Sequence, residues 1–246
     1  MMKDQAENLR QMAQNAQKIS QTLVNKQHKS KARVITVTGG KGGVGKTNVT
    51  INLALALADF GQKVLIIDAD TNKANVALLL GCSTTYNASH FMSAGIELAN
   101  VIVDGPRGIK FLAGGSVLYQ LANLNHDRLQ QISSQINLLD AWADIILIDT
   151  GAGLDQNVLN FIMAADEVVI VTTPEPAAIT DAYAMMKTHV SQQGKAPLWL
   201  IVNRVLEADQ GQLVMDKLLN VAFRFLELPI NSLGLVYEDC NMLKAV

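Results

Sequence analysis

The sequence predicts an α/β fold, a doubly wound and mostly parallel sheet flanked by helices. Three observations carry that prediction. Apolar runs at 34–38, 64–67, 109–112, 145–148, 168–172, 198–202 and 233–236 alternate with helical patterns near 48–60, 73–80, 127–141, 155–164, 176–191 and 208–226. The runs are continuous rather than alternating, as strands covered on both faces require. A glycine-rich loop joins the first run to the first helical pattern. Regular alternation of this kind builds right-handed βαβ units, and ligands then bind beyond the carboxyl ends of the strands.

Residues 1–32 stand apart from that pattern. They contain no Gly or Pro, are rich in Gln, Asn, Lys and Ser, and hold six Lys/Arg against Asp4 and Glu7, a net charge of +4. Ala6, Leu9, Ala13, Ala16, Ile19 and Leu23 recur at three- and four-residue spacing, a stripe too weakly apolar for a core helix. Isolated helices of this length are marginal in water. The segment reads as a flexible arm that folds on a partner, and residues 33–246 read as one α/β domain.

The first strand of that domain, Val34-Ile35-Thr36-Val37-Thr38, runs into Gly39-Gly40-Lys41-Gly42-Gly43-Val44-Gly45-Lys46-Thr47-Asn48. From Gly40 to Thr47 this is G-x-x-x-x-G-K-T, the P-loop pattern in its strand–loop–helix context. Glycines let successive backbone N–H groups turn inward around phosphate oxygens, and the helix N-terminus adds its positive dipole end. Gly40, Gly42, Gly43, Val44 and Gly45 are candidate cradle residues, and Asn48 is a further candidate nucleotide-binding residue. Lys46 is the candidate cation for the outer phosphates, and the Thr47 hydroxyl is a candidate Mg²⁺ ligand.

The second strand ends in Asp68-Ala69-Asp70, with both carboxylates on one side of the chain by strand alternation. The strand at 145–148 ends in Asp149-Thr150-Gly151-Ala152-Gly153. An acidic residue closing an apolar strand beside a P-loop is the Walker B pattern, which holds Mg²⁺ directly or through water. Gly151 and Gly153 give the following loop the freedom of a switch loop.

Composition excludes several classes. At 246 residues, 49% hydrophobic and 17% charged, the chain suits one large soluble α/β domain. A net charge of −2 gives no strong nucleic-acid signal. No apolar run reaches membrane-spanning length, and no secretory signal is present. Cys82 and Cys240 are scattered, which argues for a reducing cytoplasm and against a zinc site, a disulfide framework or an iron–sulfur carrier.

Lys41, directly after the first P-loop glycine, is not required by an ordinary P-loop. With it, the loop resembles the deviant Walker A loop of the MinD/ParA family of ATPases, in which the extra lysine crosses a dimer interface to the partner's ATP. The resemblance implies that Lys41, Lys46 and Asp70 are catalytic, with Asp70 orienting or activating the attacking water. It implies that Thr47, Asp68 and Asp149 organise Mg²⁺, and that Asn203 with Arg204 receives the base of ATP or ADP. It further implies an ATP-dependent homodimer.

Two stretches narrow the branch. Thr172–Lys187 and Asp4-Gln5-Ala6-Glu7-Asn8-Leu9-Arg10 look like segments of the flagellar-number ATPases of the FlhG/FleN (YlxH) group. That resemblance implies that Asp4, Gln5, Ala6, Leu9 and Arg10 bind and stimulate an FlhF-type GTPase. Flagellar C-ring components or a flagellar transcription regulator would be further partners. Departures fall in Thr71-Asn72-Lys73-Ala74 and Ala77 of switch I, and in Val236-Tyr237-Glu238-Asp239. The C-terminal membrane anchor of longer relatives has no counterpart up to Val246. A cytoplasmic location is expected from the cysteine usage, with peripheral membrane binding in longer relatives. Alternative readings are a positioning ATPase with another client, and a weakly catalytic adaptor whose arm is the main functional part.

Overall fold

The computed structural model describes residues 32–70, 75–82, 101–112 and 142–244. The arm up to residue 31, the expected helix at 127–141 and switch I residues 71–74 lie outside the described residues. The strands are β1 (Arg33–Thr38), β2 (Val64–Ala69), β3 (Ile102–Asp104), β4 (Lys110–Leu112), β5 (Ile145–Thr150), β6 (Glu167–Thr172), β7 (Leu198–Val205) and β8 (Ile230–Tyr237). The helices are α1 (Lys46–Asp59), α2 (Asn75–Leu79), α3 (Gln156–Ala164), α4 (Pro176–Ser191), α5 (Ala208–Leu226) and α6 (Cys240–Lys244).

One eight-stranded sheet runs in the order β3-β4-β2-β5-β1-β6-β7-β8. Every pairing is parallel except β3 with β4, a short antiparallel pair at one edge. Strand β3 leaves no signal in the apolar pattern, because three residues at a sheet edge carry too little periodicity. Strand β8 is longer than its apolar run at 233–236, because a glycine and a bulge interrupt that run: Leu200 pairs with Ser232 and Ile201 with Gly234, leaving Leu233 as the extra residue.

Alternation along β6 shows how the two faces are filled. Val168 and Ile170 pack with Met185, Met186, Val214 and Leu218 of α4 and α5. Val169 and Val171 turn the other way, toward Val44 and Val49. On that second face α1 lays Ile51 and Ala54 over Val64, Ile66 and Leu147. Leu147 is fully buried, and truncating such a side chain to Ala costs about 2–5 kcal/mol. Helix α3 starts where the sequence reading placed it, with the Asp155 carboxylate accepting from the N–H groups of Asn157 and Val158, both at 2.9 Å.

This topology brings the functional motifs together. Strand β1 lies between β5 and β6, and β2 lies beyond β5. The register aligns Asp68 with Asp149 and Val37 with Asp149. The P-loop and both acidic strand ends therefore converge at one carboxyl-end crevice.

Candidate functional site

The P-loop turns directly from β1 into α1, and its glycines are steric requirements. A Cβ on Gly40 would lie 2.5 Å from Cβ of Asp181 on α4. Gly45 has φ +92°, and a Cβ there would lie 2.3 Å from Nδ2 of Asn203. No side chain caps the start of α1, so its first N–H groups are free to face an anion. Val44 is buried beneath the loop, while Gly42 and Gly43 are exposed along it. Asn48 sits in the first turn of α1, where its carbonyl accepts from Asn52 Nδ2 at 2.8 Å.

Lys46 is the first residue of α1 and is buried, with burial holding its ammonium below the ordinary lysine pKa against the raising influence of Asp149 and Asp70. Its Nζ donates to the carbonyl of Lys41 at 3.3 Å, across the mouth of its own loop.

Behind Lys46 stand two buried carboxylates. Asp149 is fully buried, and desolvation pushes its pKa up to about 6; Thr47, Thr50 and the Lys46 charge oppose that rise. Its Oδ1 accepts from Thr50 Oγ1 at 3.1 Å. Its Oδ2 has no hydrogen-bond partner of sound geometry, although the Thr47 hydroxyl is near enough to help hold the pKa down. Asp68 is pushed to about 7, chiefly by burial and further by Asp149. Its oxygens accept from the backbone N–H of Asp70 and of Val76, each at 3.2 Å. An orphaned buried carboxylate oxygen beside a P-loop hydroxyl is a donor set that fits Mg²⁺. Among the described residues no three His, Cys, Asp or Glu gather into a metal cage. Mg²⁺ is commonly bound through one or two protein oxygens plus phosphates and water.

Asp70 closes the crevice from the β2 side. Its Oδ2 accepts from Asn75 Nδ2 at 3.2 Å, and a Cβ on Gly151 would lie 3.5 Å from its Oδ1. The Asp149–Gly151 loop is held to β1 through Thr150, whose hydroxyl lies 3.1 Å from the Val37 carbonyl and 3.0 Å from Thr38 Oγ1.

On the other flank, Asn203 at the end of β7 donates through Nδ2 to Val44 O at 2.8 Å. Arg204 follows with φ +57° and pairs with Glu238, Nε to Oε2 at 3.0 Å. A cavity of about 460 Å³ opens here, lined by Thr173, Pro174, Glu175, Arg204, Gln210 and Glu238. Lys41 does not point into its own loop: its Nζ is paired with Glu175 Oε2.

The structure places Lys46, Thr47, Asp68, Asp70 and Asp149 around the loop formed by Gly40, Gly42, Gly43, Val44, Gly45 and Asn48, ties Asn203 to that loop through Val44, and leaves Lys41 and Arg204 on the flank, paired with Glu175 and Glu238. The expected partner-binding residues Asp4, Gln5, Ala6, Leu9 and Arg10 lie outside the described residues. Thr50, Glu175 and Glu238 also meet these residues, and none of the three is a candidate from the sequence. Thr50 had a usable signal, since it lies one helical turn after Lys46 and so returns to the same face of α1. The two glutamates had none, because their partners are distant in the chain.

Comparison with known proteins agrees with this geometry. Residues 32–197 match a family model described as an AAA domain. The chain is 38% identical over 219 residues to the antiactivator FleN of Pseudomonas aeruginosa, covering 87% of this chain and 76% of that protein. It is 35% identical to the flagellum site-determining protein YlxH of Helicobacter pylori, covering 88% of this chain and 73% of that protein. Among solved structures it resembles the septum site-determining protein MinD of Pyrococcus horikoshii complexed with Mg-ADP. That match has a TM-score of 0.65 and 27% identity, over 87% of this chain and 84% of that one. The P-loop with its extra lysine, the acidic strand ends behind it and these relatives together make the chain a member of the MinD/ParA family of P-loop ATPases, on the branch that contains FleN and YlxH.

Proposed function

We propose that this chain is a Mg²⁺-dependent ATPase switch that regulates flagellar number and placement, closing into a homodimer on ATP and activating an FlhF-type GTPase through its N-terminal arm. The observation that carries the switch reading is Lys41. It belongs to the P-loop by sequence, yet its ammonium lies outside its own phosphate cradle, on Glu175. A cation so placed serves a second protomer packed face to face more readily than its own. The flagellar branch is supported by FleN and YlxH as relatives.

In this reading the P-loop backbone and Lys46 hold the phosphates. Arg204 lines the cavity that would take the base, and its neighbour Asn203 joins that flank to the phosphate loop. Thr47, with Asp149 and Asp68 behind it, would hold Mg²⁺, which neutralises charge on the outer phosphates when bound. Asp70 sits at the crevice edge beside Gly151 and orients the attacking water. ATP binding favours the dimer because each nucleotide contacts both chains, which is mass-action linkage.

The test is GTP hydrolysis by a cognate FlhF-type GTPase, with and without a peptide of residues 1–24. Gln5→Ala and Arg10→Ala peptides serve as controls. Strong stimulation lost in both controls establishes the arm as an activator. No stimulation of a competent GTPase leaves a positioning ATPase with a different client.

A further inference from the structure

Lys41 is held at both ends. Its carbonyl accepts from Lys46 Nζ at 3.3 Å, and its ammonium is paired with Glu175. The two holds belong to two different parts of the nucleotide site. Lys46 is the residue that outer phosphates would draw away. Glu175 lies on the wall of the 460 Å³ cavity, beside Arg204 and the Arg204–Glu238 pair. Glu175 also feels the charge of Arg204: its carboxyl is lowered first by the Lys41 bond and charge, then by Arg204. Thr173, whose hydroxyl is buried without a hydrogen-bond partner, forms part of the same wall.

We propose that Glu175 is a positioning residue that latches Lys41 inside its own protomer, and that a nucleoside filling the Thr173–Glu175–Arg204 cavity releases Lys41 for the second protomer. The inference rests on the face-to-face dimer of the proposed function. It adds a two-key condition to it. Phosphates recruit Lys46 from the Lys41 carbonyl, and the nucleoside displaces Glu175 from the Lys41 ammonium. Either ligand half alone leaves one hold in place. Lys41 and Glu175 are both well exposed, with side chains 37% and 54% accessible. Exposed ion pairs are weak and screened by salt, so the latch sets a threshold and does not block the dimer.

Sedimentation velocity on the Asp70→Ala chain and on Asp70→Ala/Glu175→Gln, each with saturating Mg-ATP, tests the latch. The double variant is expected to dimerise at several-fold lower protein concentration, with the gap closing as salt rises to about 0.5 M. Replacing ATP by saturating Mg-tripolyphosphate should leave Asp70→Ala largely monomeric. An unchanged or higher concentration requirement in the double variant overturns the latch, as does a dimer equally strong with tripolyphosphate and ATP. If Asp70→Ala stays monomeric with Mg-ATP, the dimer reading itself fails and the latch falls with it. A merely structural Glu175 would not strengthen association when its charge is removed.

Discussion

Asn203 ties the end of β7 to the phosphate loop: its Nδ2 donates to the Val44 carbonyl at 2.8 Å and fills the space that a Cβ on Gly45 would need. Strand β7 and the P-loop are therefore one mechanical unit. Gly45 is required twice, by its φ of +92° and by this contact.

Asn203→Ala should leave a buried carbonyl unpaired and loosen the loop. A stability loss of about 1–2 kcal/mol is expected, with roughly tenfold weaker ATP binding. Gly45→Ala should be worse, abolishing nucleotide binding in a chain that still folds. Thermal melts paired with calorimetric titration of ATP check both, and full ATP affinity in Gly45→Ala would refute this reading of the loop.

Lys46→Ala should lose tight nucleotide binding while the fold survives. The side chain pays desolvation beside Asp149, a burden that only an anionic ligand makes useful. Removing it also takes away one of the influences that hold the Asp149 pKa down. Calorimetry with Mg-ATP reads the effect directly; affinity within threefold of the unaltered chain would contradict the role.

How much of this was legible in the chain depends on distance along it. The P-loop and the acid-terminated strands are local patterns, and the register that sets Asp68 against Asp149 follows once two adjacent parallel strands end alike. Strand β1, helix α4 and helix α5 fall where the apolar pattern put them, because each is bounded by sharp signals such as Pro176 at the start of α4. The contacts that organise the site are of another kind. Asn203 and Val44 are 159 residues apart, and Lys41 and Glu175 are 134 apart. No local propensity encodes which glutamate a loop lysine meets; that is settled by strand order, and β6 falls next to β1 only after the sheet is wound in both directions.

Asp70→Ala should bind ATP and accumulate dimer. Asp70 accepts from Asn75, lies beside the Gly151 turn and acts on Lys46 through its charge; its loss should spare binding and slow turnover by at least about tenfold. Gel filtration with Mg-ATP, run beside a phosphate-release assay, separates the two effects. A strictly monomeric variant, or one with normal turnover, would remove Asp70 from its assigned place.

His189 sets an acid limit on stability away from the nucleotide site. The ring is buried at the end of α4, and Gly194 presses so closely that a Cβ there would lie 2.2 Å from Cε1. Neither ring nitrogen has a hydrogen-bond partner of sound geometry. Burial holds the imidazole below the ordinary histidine pKa, offset in part by the nearby Ala196 backbone. The folded state therefore resists protonation more than the unfolded chain does. Stability from the neutral ring is full above the unfolded value near 6.5 and is lost as pH falls through the lower folded value. The melting temperature should drop between pH 7.5 and pH 5 more steeply in the unaltered chain than in His189→Leu, which packs a similar volume without a titrating group. Parallel slopes for the two chains would show that the buried ring is not the group responsible.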